Sequence, residues 1–570
     1  MFAKAEVRIL GQHVDNWQVL LKNKKDMKSS FKVSGNIVDV VNHRIFRGSI
    51  IVLDGKITDI IEGDSDSDVY IMPGFIDSHV HIESSMMRPA QFAKAAVTHG
   101  TVACVSDPHE IANVLGIPGV DFMIEDAQTV PFKFFFGAPS CVPATDFESS
   151  GAKIKAKDIE TLLQNKHIYY LAEMMNFPGV IYNDSEVHKK IELAHRYNKP
   201  IDGHAPGLTG EHLEAYAKAG ISTDHECMNS DEAYEKIEKG IKIQIREGSA
   251  AKNFDDLFEV ALKMPEKVMF CSDDKHPDDL LQGHINLLFK RALEKGMNPI
   301  VAARICSYNP TKHYQLDVGL LQKGDSADFI VMDNFEDQNI LFTYINGIKV
   351  AESGKSLIKV DEIINMPNIF NVLALDINDI SIKAESSRIK VIEVEDGQLY
   401  TKIGIENAKI EDGHVVSDVD NDILKMVVLN RYMPSKPAIG FIKNMGLKSG
   451  AMASSIAHDS HNIVAVGTND RDIIDAINAI IYEKGGISVS KNQATKTLGL
   501  PIAGLMSDKD ISEVAMKYEE IHQETKMLGS SLRAPFMTLS FMSLLVIPEL
   551  KLSDKGLFDG QKFELTNLFI

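Results

Sequence analysis

Between residues 73 and 310 of this 570-residue chain, short apolar runs alternate with amphipathic stretches, and that rhythm limits the fold more than anything else in the sequence. Eight runs read as strands: 75–81, 101–106, 132–137, 168–174, 200–204, 221–226, 241–246 and 267–272. The stretches between them carry apolar residues at helical spacing. In "DSEVHKKIELAHRYNK", Val187, Ile191 and Ala194 share a face; in "HINLLFKRALEKG", Ile285, Leu288, Ala292 and Leu293 do. Tandem strand–helix units build parallel sheets. Eight of them predict an α/β fold with a closed (β/α)8 TIM-like barrel, whose chemistry sits at the C-terminal ends of its strands.

The flanks have a different texture. Residues 31–72 and 320–355 are short β-branched runs broken by Gly and Asp-Gly. They are expected to pair into a small β-domain formed by segments flanking the barrel, 31–72 with 311–360. Residues 1–30 read as a helical or loose leader. From 365 to 570, strand-like text such as "IKVIEVEDGQLYTKIGIENAKI" leads to a helix expected at 508–528, predicting a separate C-terminal α/β domain.

Charge and cysteine usage exclude several function classes. A formal charge of −20 repels polyphosphates, which argues against nucleic acid as a partner and favours a small neutral molecule. Neither a P-loop nor a G-x-G-x-x-G fingerprint is present to cradle a nucleotide. Five scattered cysteines, none in a C-x-x-C arrangement, suit reduced thiols in the cytoplasm. "MFAKAEVRIL" has no secretory core, and no apolar run reaches the roughly 18 residues of a membrane span. A homo-oligomer, a dimer by preference, is expected from size and symmetry habits.

The expected strand ends carry the chemistry. The first ends in His79-Val80-His81, and alternation sends both imidazoles to one side. Glu173 follows the fourth apolar run, His204 ends the fifth, His225 lies in the sixth and Asp273 closes the eighth. Each has an ordinary explanation alone: a hydrogen-bonded core histidine, a salt-bridged glutamate, an aspartate capping a helix. Together they form a set that can hold two divalent ions, with Glu173 bridging and positions left open for water. A shell of His and carboxylate without thiolate fits Fe²⁺, Mn²⁺ or Zn²⁺. Two similar-looking motifs fail on spacing. "HIE" at 81–83 has no C-x-x-C to complete a cytidine-deaminase-type zinc site, and "HEIAN" at 109–113 ends in Asn rather than the second His of H-E-x-x-H.

"PGFIDSHVHIESS", followed by Glu, His, His and "SDD" at later strand ends, resembles the amidohydrolase superfamily. Within it, "HGTVACVSDPHEIANVLG", "GHAPGLTG", "STDHECM", "CSDDKHPDDLL" and "SIAHDSHNIVAVGTND" resemble the adenine deaminase family over about residues 31–570. Many binuclear relatives bridge their metals with a carboxylated lysine on the fourth strand; here "LAEMM" offers Glu173 instead. The resemblance implies hydrolytic deamination of adenine to hypoxanthine and ammonia, a purine-salvage step, by a metal-bound hydroxide, with Mn²⁺ or Fe²⁺ favoured. Asp273 would shuttle the proton from water to the leaving amine. His109 and Glu110, with Ser106 and Asp107, sit where the purine would be held, and His276 would donate to a ring nitrogen. His458, Asp459, Ser460 and His461 either cover the pocket or close a turn, the turn being preferred. Two rivals remain: a binuclear amidohydrolase acting on a cyclic amide or N-acetyl substrate, and a non-catalytic interaction scaffold on the same barrel.

Overall fold

The computed structural model describes residues 30–570. The leader expected over 1–30 lies outside the described residues except for Ser30.

The chain begins with strands β1 (Ser30–Asp39), β2 (Arg44–Leu53), β3 (Lys56–Glu62) and β4 (Tyr70–Pro73). Gly74 then turns the chain from this sheet into the next. A Cβ there would lie 2.2 Å from Val102 Cγ1, so only glycine permits the close approach. Eight short strands follow: β5 (Phe75–Val80), β6 (Thr101–Ser106), β7 (Lys133–Ala138), β8 (Ile168–Met174), β9 (Ile201–Gly203), β10 (Thr223–Asp224), β11 (Lys242–Arg246) and β12 (Val268–Cys271). β5 to β9 form a parallel sheet in sequence order, and β10 to β12 form another. Parallel bridges link the sheets at both ends, Ile201 with Ile221 and Val80 with Asp273. Nearly all of these strand residues are buried, which is why they read as apolar runs rather than alternating ones.

Helices connect the parallel strands and bury one stripe each. Ser185–Arg196 starts where the Asp184 side chain accepts from the amides of Glu186 and Val187, both at 2.9 Å, and buries Val187, Ile191 and Ala194. Ile285–Glu294 buries Ile285, Leu288, Phe289 and Ala292, with Leu293 half-buried. After the last of these units come β13 (Phe329–Met332), β14 (Ile340–Ile345), β15 (Ile348–Glu352) and β16 (Lys355–Ser356). They join the opening strands in one sheet, ordered β16-β15-β14-β13-β4-β1-β2-β3. β4 is the seam, parallel to β1 and antiparallel to β13.

The remaining chain builds a second eight-stranded sheet between Arg388 and Gly499, around the fully buried strand Ile423–Leu429. The helix Asp470–Glu483 covers it with Ile473, Ile474, Ile477 and Ile480; the helix expected at 508–528 runs Ile511–Met527. A backbone bond ties this region to the turn that follows β5: Ser507 N–H donates to the Met86 carbonyl at 2.9 Å. The Asn462 amide also donates to the Ser149 carbonyl at 2.9 Å. Among the described residues no helix is long and apolar enough to cross a membrane.

Candidate active site

β5 delivers His79 and His81 to the same side, where their Nε2 atoms stand 3.2 Å apart. Asp273 follows β12 in the left-handed region (φ 55°), a conformation that Asp tolerates better than most residues. Its amide donates to the His79 carbonyl at 3.0 Å, and its carbonyl accepts from the His81 amide at 3.3 Å, so Asp273 is stitched to the histidine pair by backbone. Its Oδ1 then lies 3.5 Å from His79 Nε2 and 3.3 Å from His81 Nε2. Glu173, on β8, spans the cluster. Its Oε1 is 3.3 Å from His81 Nε2, and its Oε2 is 2.9 Å from His204 Nδ1 and 3.2 Å from His225 Nε2. The six side chains named at the strand ends therefore meet in one place, and none is more than 7% exposed.

The hydrogen-bond pattern says what that place can hold. His81 Nδ1 faces the Asp107 carbonyl at 3.1 Å, which assigns its proton to Nδ1 and leaves an Nε2 lone pair. That lone pair points at the oxygens of Glu173 and Asp273. Buried acceptors facing acceptors repel unless a cation or proton lies between them. His79 Nδ1, His204 Nε2 and His225 Nδ1 are buried without hydrogen-bond partners. With no thiolate in the set, the donors fit borderline or hard divalent ions. Burial would raise the Glu173 carboxyl, yet His204 and His225 hold it well below the usual carboxylate range.

A cavity of about 20 Å³ opens onto this cluster, room for roughly one water. His81, His109, Glu110, Glu173, His204, His225 and Asp273 line it, so the expected pair His109 and Glu110 reaches the cavity. His109 Nδ1 lies 3.0 Å from Asp107 Oδ2 and 3.4 Å from Glu173 Oε1. His276 is not among the residues lining this cavity, and its Nδ1 meets the Tyr518 hydroxyl at 2.6 Å. That contact, from a helix more than 240 residues away, had no local signal in the sequence. Burial lowers the His276 imidazole to about 3, so it stays neutral at ordinary pH.

Other lining residues were not singled out from sequence. Arg246 ends β11 and so was legible as a strand-end residue; its Nη1 bonds Asp273 Oδ2 at 2.7 Å and its Nη2 bonds Glu226 Oε2 at 2.8 Å. Glu226 adjoins His225, and despite burial the Arg246 charge keeps it below the usual range. The roof comes from the C-terminal sheet and its helices: Leu399, His458, Asp459, Phe541, Leu544 and Ile547. The "HDSH" stretch thus does more than close a turn. His458 Nδ1 is 2.5 Å from Glu110 Oε1, and His461 Nε2 bonds Glu110 Oε2. Cys271 is buried with its Sγ against the Ile245 carbonyl, and it packs rather than lines.

A parallel α/β core with a buried His and carboxylate cluster at its strand ends is the arrangement of a metal-dependent hydrolase, and residues 70–350 match the amidohydrolase family. Residues 398–564 match the adenine deaminase C-terminal domain. The chain is 52% identical to an adenine deaminase of Methanosarcina barkeri over 94% of this chain and 98% of that one. It is 48% identical to that of Salinibacter ruber, over 95% and 100%, and 46% identical to that of Borreliella burgdorferi, over 94% and 98%. The chain belongs to the adenine deaminase family of amidohydrolases.

Proposed function

We infer that the chain hydrolyses adenine to hypoxanthine and ammonia in the cavity between the strand ends and the Phe541 roof. In this reading the two parallel sheets form one closed (β/α)8 barrel over 73–310. The flanking sheet (31–72 with 311–360) supports it, and the 365–570 region caps its mouth. The observation that carries the reading is the convergence of His79, His81, Glu173, His204, His225 and Asp273, with lone pairs facing carboxylate oxygens and three ring nitrogens left without partners.

His79, His81 and Asp273 would hold one divalent ion and His204 and His225 a second, with Glu173 between them; Mn²⁺ or Fe²⁺ suits the set. Ions held there supply Lewis acidity that brings the pKa of water from 15.7 toward about 7. The chain's own groups do the rest. Asp273 accepts a proton from the attacking water as its oxygen bonds to C6, then returns it to the amine as the C6–N bond breaks. Arg246 fixes Asp273 by gripping Oδ2, which aims Oδ1 at the His79 and His81 side of the cluster. The other water proton ends on the hypoxanthine ring, so atoms balance as adenine plus water giving hypoxanthine plus ammonia. His109 and Glu110 act as positioning residues on the cavity wall.

Leu399, Phe541, Leu544 and Ile547 supply apolar surface for a purine face. The reading is tested by incubating the full chain, loaded with Mn²⁺, with adenine, with a cyclic amide and with an N-acetyl sugar. It expects the ultraviolet spectrum to shift to that of hypoxanthine with stoichiometric ammonia, and no turnover of the other two. Stoichiometric metal with no turnover of any of them would favour the scaffold.

A further inference from the structure

A second group of metal-type donors lies on the roof side of His109, where the reading above gives His109 and Glu110 a positioning role and no ion. His109 Nδ1 is committed to Asp107 Oδ2 at 3.0 Å, so Nε2, on the far edge of the ring, is the nitrogen turned to the roof. Nε2 faces Glu110 Oε1 at 3.5 Å and Asp459 Oδ1 at 3.8 Å, too long for a strong hydrogen bond. His458 Nδ1 completes the group, 2.5 Å from Glu110 Oε1 and 3.9 Å from Asp459 Oδ1. Donors about 2.1 Å from one ion stand roughly 3.0–3.4 Å apart in octahedral or tetrahedral geometry. The His109–Glu110 pair at 3.5 Å is near that spacing, and Asp459 Oδ1, at 3.8 Å, would draw in by a few tenths of an ångström on binding. Asp459 is 2% exposed, and its Oδ2 has no hydrogen-bond partner. A buried carboxylate oxygen left unpaired is costly unless a cation meets it. Negative charge is also in excess nearby: burial and the Asp459 charge push the Glu148 carboxyl well up.

We propose that His109 Nε2, Glu110 Oε1 and Asp459 Oδ1, with His458 beside them, form a further divalent-cation site, separate from the Glu173 pair. The donor set is nitrogen and carboxylate oxygen without sulfur, so it takes the same ions: Mn²⁺, Fe²⁺ or Zn²⁺. Its ligands come from two regions more than 340 residues apart, so a bound ion clips the 458–461 loop onto the strand ends and fixes one wall of the cavity. The site does not depend on adenine being the substrate.

Crystals of the full chain loaded with Mn²⁺, measured at the manganese edge, test it directly. The expected map has anomalous peaks beside Glu173 and a further peak within bonding distance of His109 Nε2, Glu110 Oε1 and Asp459 Oδ1. In solution, after free Mn²⁺ is removed, the wild type should keep three equivalents per chain and Asp459→Asn two. Peaks beside Glu173 alone, or equal manganese in the wild type and Asp459→Asn, would overturn the proposal while leaving the Glu173 centre standing. No peak anywhere would overturn both. If Asp459→Asn fails to fold, the wild-type map decides alone.

Discussion

The cluster around Glu173 and the cluster around Glu110 share one cavity and similar donors, yet they are built differently. Every residue of the first sits on a parallel strand or within two residues of its end. Its geometry is fixed by the ladder and by the Val80–Asp273 bridge. The second joins a helix start, His109–Leu115, to a loop between two strands of the C-terminal sheet. A site on strands is held by backbone hydrogen bonds, whereas a site across a seam lasts only while the seam stays closed. The first cluster suits chemistry, and the second suits clamping and closure.

The contrast can be broken in graded steps. Asp273→Asn keeps the shape of the strand-end cluster and removes its base, so adenine turnover should fall about 10³- to 10⁴-fold, read as ammonia release. Arg246→Met strips the buried carboxylates of Asp273 and Glu226 of their partner. That should cost about 3–5 kcal/mol in denaturant unfolding, because a buried charge left alone is heavily penalised. On the roof, Phe541 stacks on His458 with ring centroids 4.5 Å apart and an interplanar angle of 14°. Phe541→Ala should lower kcat/KM by about 10-fold, mainly through KM, since aromatic packing against a base is worth roughly 1–3 kcal/mol.

The smallest effect tests the closure itself. Lys551 is fully buried and donates to the Leu399 and Phe541 carbonyls at 2.8 and 3.0 Å, tying two roof residues together. Burial lowers its ammonium to about 7, so above pH 6 the unfolded chain carries more of that proton than the folded one. Stability should therefore rise by about 1.4 kcal/mol from pH 6 to pH 8 through this group. Lys551→Met should remove that slope in unfolding curves at the two pH values; an unchanged slope would place the proton elsewhere.

The same contrast separates what was legible in the sequence from what was not. The α/β class and the sequence-ordered parallel strands were readable because each strand is buried on both faces and shows as an uninterrupted apolar run; β8, 168–174, has the bounds expected of it. Glu173, His204, His225 and Asp273 could be set beside His79 and His81 because strand ends share one rim. β10 shrank from the expected 221–226 to Thr223–Asp224, since short parallel strands pair over few residues and propensity cannot mark where pairing stops. The roof was out of reach. Nothing around Phe541 or His458 signals a partner near residue 110, and the Tyr518 contact to His276 is equally non-local. Arg246 was within reach, since it closes the seventh strand.

The central claim is that Glu173 joins two halves of a metal centre that deaminates adenine. Metal content and adenine turnover, measured together on the wild type and Glu173→Gln, test it most directly. The account predicts that the variant loses the strand-end metals and at least 10³-fold of its turnover, with the fold intact by circular dichroism. A variant that keeps its full metal complement and deaminates adenine at the wild-type rate would contradict it.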